Sequence, residues 1–357
     1  MSSSRPISIT GCGALSVLGH DLAAQLERIG GEATRFRPLG EMAGAPEGFE
    51  DQPTGWIEPR ALLCHRKWSP LSMAALHVAR EALEAADWSA SERRNAAIFF
   101  GTSRGAMAGW TDAWPGRRPF RLMAASNSLG AEPASAIGSE LGVGGPWQIQ
   151  SSGCCAGLDA LGMAKLWLDA GQASRALVVS ADLPLRSAVL QAYADTGILS
   201  SRECYDPLSE KADGMIPSEG AAALCLEAED KGDHPRLLSY FTSTEHNDPL
   251  GGAAETPALT EILTKAIELH GKPDRIIPHA SGTHAQSLSE PLAIHQAASN
   301  LPPLEPMKPW TGHTVGASGL LETAILASQD HPPASLVFKI ASSMGGKHSL
   351  IALRLPS

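Results

Sequence analysis

Lys308-Pro309-Trp310-Thr311-Gly312-His313-Thr314-Val315-Gly316-Ala317-Ser318-Gly319 is a polar, glycine-rich stretch that runs directly into an apolar one. Proline holds a turn, and the glycines allow close backbone approach. The residues from Gly316 to Ser328 predict a helix. His313 stands just ahead of it, where an imidazole can aim into a cleft and donate to a carbonyl oxygen. Lys308 can orient a group or hold local charge. A satisfied surface histidine and lysine is the competing interpretation of the same residues.

Two further glycine turns lie upstream. Ser151-Ser152-Gly153-Cys154-Cys155-Ala156-Gly157 follows a short strand, Trp147–Gln150, and precedes a helical pattern with Leu158, Leu161, Ala164 and Leu168 on one face. A thiol at a helix N-terminus meets unpaired N–H groups and the positive end of the macrodipole, which both favour the thiolate. Small neighbours leave room for a bulky substrate. The alternative is two ordinary buried cysteines, and at most one of two adjacent thiols is expected to react. His279-Ala280-Ser281-Gly282-Thr283-His284 is the third turn, with two histidines flanking a glycine. It offers no compact zinc ligand set, so no metal is expected. No GxGxxG, no Walker loop and no G-x-S-x-G elbow is present.

Around these turns, short buried strands alternate with helices. Strands are predicted at Ile7–Thr10, Ala96–Phe100, Ala176–Ser180, Ala221–Leu226 and Arg275–Pro278, with a closing pair, Leu336–Ile340 and Leu350–Ala352, around Gly345-Gly346. Helices are predicted from Asp21, over Ser69–Ala85, Pro133–Leu141 and Pro257–Leu269. Residues 36–66 have no steady period and read as irregular surface. The alternation predicts an α/β protein with helices on both sheet faces. Both halves run glycine turn, helix, buried strand, which suggests a duplication without a flexible linker.

Composition narrows the function classes. With 357 residues and 43% apolar content the chain can bury a large core. A net charge of −10 argues against a general nucleic-acid surface. Six cysteines without a CxxC pair do not make a disulfide scaffold. No apolar run approaches the ~20 residues of a membrane span, and no secretory signal is evident at Met1–Thr10. A reduced, cytoplasmic protein is expected.

Taken in order, the three turns resemble the β-ketoacyl synthase family of the thiolase fold, over nearly the whole chain. The resemblance also takes in Ile9-Thr10-Gly11-Cys12-Gly13 with Gly19, Asp213-Gly214 with Glu219-Gly220, and Met344-Gly345-Gly346. It implies duplicated α-β-α-β-α layered halves, residues 1–230 with the nucleophile cysteine and 231–357 with the histidine and lysine loops. By resemblance the nucleophile falls on Cys154, the second active-site histidine on His313 and the structural lysine on Lys308. The oxyanion hole falls on the amides of Cys154 and Met344, and substrate binding on Thr283, Ser281 and Thr311. Acyl carrier protein or coenzyme A thioesters are the implied partners. A homodimer, or a heterodimer with a ketosynthase-like subunit, is the implied assembly, and no cofactor is implied. An acidic carrier protein would need a basic patch, for which Arg104, Arg117, Arg118 and Arg121 are close in sequence.

Two departures qualify the resemblance. The family's first histidine falls on Ser281, leaving His279 and His284 as possible substitutes. The chain is also short for the family, with material missing after Arg104–Gly105 and around 230–275. The expected activity is condensation of an acyl-Cys154 with a malonyl thioester to a 3-oxoacyl thioester. The alternatives are acyl transfer without decarboxylation through Cys154 and His313, and a non-catalytic partner subunit like a chain-length factor.

Overall fold

The computed structural model describes residues 5–107, 130–246 and 253–356. Its strands are β1 (Ser8–Ser16), β2 (Arg37–Pro38), β3 (Pro53–Thr54), β4 (Ala97–Gly101), β5 (Trp147–Gln150), β6 (Arg175–Asp182), β7 (Gly220–Glu227), β8 (Arg236–Thr244), β9 (Arg275–Ile277), β10 (Leu336–Ser343) and β11 (Lys347–Arg354). The helices are α1 (Leu22–Arg28), α2 (Pro70–Ala85), α3 (Ala90–Asn95), α4 (Glu132–Leu141), α5 (Ala156–Asp169), α6 (Ser187–Asp195), α7 (Pro257–His270), α8 (His284–Ala297), α9 (Lys308–Thr311) and α10 (Ser318–Ser328).

Nine strands form one sheet in the order β5-β4-β6-β7-β1-β8-β11-β10-β9. The order repeats itself outward from its middle. In each half the first strand lies beside the last, the last beside the one before it, and that one beside the second. The pairings repeat too. β1–β7 and β8–β11 are antiparallel, as are β7–β6 and β11–β10, while β6–β4 and β10–β9 are parallel. β1 and β8 are joined by a single register pair, Ser8 with Arg236.

The core follows this repeat. Leu158 and Leu161 of α5 and Leu320, Leu321 and Ile325 of α10 pack in one cluster with Phe99, Val178 and Leu224 from one half and Val337, Ile351 and Leu353 from the other. A second cluster sets α2 and α4 against the opposite face of the first half, and a third sets α7 and α8 against that of the second. The result is five layers, α-β-α-β-α, in the thiolase-like arrangement.

Local chemistry explains the starts of two of the helices. Ser69 caps α2 by accepting from the Ser72 N–H, and Pro70 occupies the first turn. Asp21 caps α1 in the same way, accepting from Ala24. The glycines after Thr10 do not turn the chain as their clustering suggests. β1 continues to Ser16, and a Cβ on Gly11 or Gly13 would lie 2.2 Å from a carbonyl oxygen of α2. These glycines let the helix lie directly on the strand. Among the described residues no helix is long and apolar enough to cross a membrane.

Candidate active site

Cys154 lies in a short 3-10 turn, Gly153–Cys155, between β5 and α5. Gly153 has φ +59°, and a Cβ there would sit 2.3 Å from Ser343 Oγ, so the turn requires glycine. Cys154 is partly open to the cavity, whereas Cys155 is fully buried. His313 is carried between α9 and α10. Its backbone N–H donates to the Ile216 carbonyl at 2.8 Å, and its carbonyl accepts from Ser218 at 3.0 Å. That fixes the ring with Nε2 3.4 Å from Cys154 Sγ and Nδ1 3.2 Å from Ser318 Oγ.

His279 completes the group. It follows β9, and a positive φ of 50° at Ala280 bends the chain after it. The N–H groups of His279 and Ala280 donate to the two oxygens of Glu290 at 2.6 and 2.8 Å. The His279 and His313 rings meet edge to face, 5.2 Å between centroids. Cys154 Sγ and one nitrogen of each ring all lie within 4.8 Å of one another. One thiol and two imidazoles this close are also a donor set that a divalent metal accepts.

The remaining site residues predicted from sequence fall on both sides of this group. Lys308 is buried beneath it, with Nζ donating to the His279 carbonyl and pairing with Glu322 Oε1 at 2.9 Å. Glu322 Oε2 meets Lys339 Nζ at 2.8 Å, which makes a fully buried Lys–Glu–Lys row. Ser281 and Thr283 line the cavity, their hydroxyls 3.1 Å apart. Thr311 does not line it. Its hydroxyl turns back to the Gly312 carbonyl at 2.9 Å. His284 is exposed at the start of α8 and is also outside the cavity wall. Of the two substitutes for the missing histidine, the fold brings only His279 to the thiol. Met344 lines the cavity, and the Cys154 N–H donates to Ser343 Oγ at 3.2 Å. Arg104, an exposed residue, also lines the cavity and donates to the Tyr193 hydroxyl at 2.8 Å. Arg117, Arg118 and Arg121 lie outside the described residues.

Burial sets the charge state here. It pushes the Cys154 thiol up to about 11, with Lys308 pulling the other way. It holds His313 and His279 well below the ordinary imidazole value, and the Lys308 ammonium adds to that. Near neutral pH the group is therefore a thiol beside two neutral imidazoles. The thiolate expected from the helix N-terminus is overridden, because a terminus contributes at most about 2 kcal/mol even in a partly buried geometry. Lifting the thiol from 9.0 to about 11 corresponds to about 2.7 kcal/mol. Behind the turn, Asp182 is also pushed up by burial, to about 6. It accepts from Thr102, Ser103 and the Gly316 N–H, the last at 2.7 Å. The cavity over the thiol has a volume of about 490 Å³, within the range of small-molecule sites.

Residues 4–232 match the family model for the beta-ketoacyl synthase N-terminal domain. The chain belongs to the β-ketoacyl synthase family. Among its relatives is the actinorhodin polyketide β-ketoacyl synthase 1 of Streptomyces coelicolor, 28% identical over 230 residues, which are 59% of this chain and 48% of the relative. The 3-oxoacyl-[acyl-carrier-protein] synthase 2 of Mycobacterium tuberculosis is 27% identical over 221 residues, 56% of this chain and 53% of the relative. The chain thus matches about half the length of these curated relatives. In fold it is similar to the ishigamide ketosynthase/chain length factor, with a TM-score of 0.82 and 20% identity, covering 99% of this chain and 100% of that one. It is also similar to one chain of the structure of a type II polyketide synthase acyl-carrier protein in complex with its ketosynthase, with a TM-score of 0.81, 21% identity and the same coverage.

Proposed function

We propose that this β-ketoacyl synthase family member is a condensing enzyme that carries its acyl group on Cys154. The observation that carries the proposal is the grouping of Cys154 Sγ with the His313 and His279 rings at the wall of one cavity. Cys154 attacks the carbonyl of an acyl thioester while His313 Nε2 takes the thiol proton. The C–S bond of the incoming thioester breaks, and its thiol leaves with that proton. The oxyanion is received by the Cys154 and Met344 amides, the first of which Ser343 Oγ covers at rest.

In the second half-reaction a malonyl thioester loses carbon dioxide. The resulting enolate oxygen accepts from the two imidazoles, and its carbon attacks the acyl-Cys154. The new C–C bond releases the Cys154 thiolate, which takes a proton from solvent, and the product is a 3-oxoacyl thioester. His313 serves as acceptor in one step and donor in the other. The Ser318 hydroxyl on Nδ1 both donates and accepts, so it supports either tautomer. Lys308 acts beneath the site, fixing the His279 loop through its carbonyl.

His279 supports condensation over acyl transfer without decarboxylation, since it supplies the second imidazole that Ser281 lacks. We read residues 1–230 and 231–357 as the two halves, acyl carrier protein or coenzyme A thioesters as substrates, a dimer as the assembly and the cytoplasm as the compartment. The test is intact-mass analysis after incubation with acyl thioesters. An acyl adduct on the wild type that is absent in Cys154→Ala, followed by carbon dioxide release with malonyl thioester, is expected. No adduct over several chain lengths would refute the proposal.

A further inference from the structure

The same cavity holds a second polar row, built by the ends of three neighbouring strands. Ser342 of β10 and His348 of β11 are register partners, and His348 is also the partner of Ser243 on β8. Paired residues point to one face, and alternation brings Glu245, two residues past Ser243, to that face as well. The Glu245 N–H donates to the Gly346 carbonyl at 2.8 Å, which continues the ladder by one step. Across this row, Ser342 Oγ lies 2.8 Å from His348 Nδ1, and His348 Nε2 lies 3.5 Å from Glu245 Oε1. Glu245 Oε1 accepts from the Ala258 N–H at 2.7 Å, at the start of α7. All three side chains line the cavity that Cys154 faces.

A hydroxyl bonded to an imidazole whose far nitrogen faces a carboxylate is the arrangement that activates a serine. The carboxylate favours the imidazolium that forms as the hydroxyl loses its proton. We propose that Ser342, His348 and Glu245 form a second catalytic relay in this cavity, one that hydrolyses acyl thioesters. The thioester class rests on the function proposed above, whereas the relay rests on register and distance alone.

In the first step Ser342 Oγ bonds to the thioester carbonyl carbon and its proton passes to His348. The C–S bond breaks, and the thiol leaves with that proton. In the second step a water oxygen attacks the acyl-Ser342 ester and gives its proton to His348. The bond from the acyl carbon to Ser342 Oγ breaks, and Ser342 recovers the proton. The products are a carboxylic acid and a free thiol. Glu245 is a positioning residue that acts through His348. The acyl group arrives either on an incoming thioester or on Cys154, since both present a carbonyl to the same space.

The test uses a fluorophosphonate, which reacts with activated serines, with intact mass and peptide mapping as the readout. One phosphonyl adduct on Ser342 is expected in the wild type and in Cys154→Ala. It should be absent in Ser342→Ala and form at least about 100-fold more slowly in His348→Asn. Glu245→Asp should restore most of the rate lost in Glu245→Ala, which a purely structural role for the carboxylate would not produce. Hydrolysis of an acyl-N-acetylcysteamine thioester that persists in Cys154→Ala identifies the incoming thioester as the source. Hydrolysis lost in that variant while labelling persists identifies acyl-Cys154. An adduct confined to other residues, labelling indifferent to His348→Asn, or no thioester hydrolysis by the wild type overturns the proposal. Acylation of Cys154 is read separately, so failure of the condensing reaction and failure of the relay are distinguishable.

Discussion

Alkylation of Cys154 by iodoacetamide is expected to have no plateau near neutral pH. Burial pushes this thiol from 9.0 up to about 11, a bias of about 2.7 kcal/mol against the thiolate. At pH 8 only about one molecule in a thousand then carries a Cys154 thiolate, and the rate should climb about tenfold per pH unit from pH 7 to pH 10. The assay is peptide mapping of pseudo-first-order labelling, with the exposed Cys64 and Cys204 as references within the same sample. A flat rate between pH 6 and 8 would show a thiolate–imidazolium pair already formed, and would refute the argument that burial outweighs the helix terminus. The sign also fixes the role of His313. If the thiol is neutral at rest, proton transfer to Nε2 belongs to the acylation step. His313→Ala should then slow acylation by about 100- to 10,000-fold and leave the pH dependence of alkylation essentially as it was.

Four other perturbations separate the parts of the site. His279→Ala should leave acyl-Cys154 formation intact but reduce malonyl-dependent carbon dioxide release by about 100-fold or more, measured with labelled malonyl thioester. Ser343→Gly frees the Cys154 N–H from a bond worth about 0.5–1.5 kcal/mol. Acylation, followed by mass, should then rise by about two- to twelvefold, and an unchanged or slower rate would show that the hydroxyl itself helps hold the oxyanion. Glu322→Gln leaves two buried ammonium groups facing each other and should cost about 3–5 kcal/mol in urea unfolding. Asp182, raised from 3.8 to about 6 in the fold, contributes stability that is fully present below pH 3.8 and lost as pH rises through about 6. The loss amounts to about 3 kcal/mol. Urea midpoints measured across that window should show this decline in the wild type and not in Asp182→Asn.

The elements that were legible in the sequence are those whose pattern is local. The Trp147–Gln150 strand, the Gly153 turn and the helix after it follow from an apolar period broken by glycine, and the hairpin of β10 and β11 follows from Gly345-Gly346. β8 was not legible. Its apolar residues come in adjacent pairs, Leu237-Leu238 and Tyr240-Phe241, so they do not alternate with polar ones along the strand. α8 was missed because Pro291 lies inside it and its apolar residues do not gather on one face. The same limit applies at the site. The motif spacing aligns Ser281 with the usual histidine, while the bend at Ala280 and the grip of Glu290 on two amides present His279 instead. Neither device has a one-dimensional signature. The polar row on β10, β11 and β8 was invisible for a related reason, since it exists only once three strands are in register.

The repeat in the sheet has a consequence for how the two halves divided their labour. Each half places a three-residue 3-10 turn ahead of a central helix, Gly153–Cys155 before α5 and Val315–Ala317 before α10. Position by position, Cys154 in one copy corresponds to Gly316 in the other. A Cβ on Gly316 would lie 2.5 Å from the Asp182 carboxylate, and its N–H is already committed to that group. The two helix entrances are thus built on one plan and differ at its middle position. One opens on the cavity and carries a thiol. The other carries no side chain and ties its backbone to Asp182 of the first half, so of these two equivalent positions Cys154 alone bears a nucleophile.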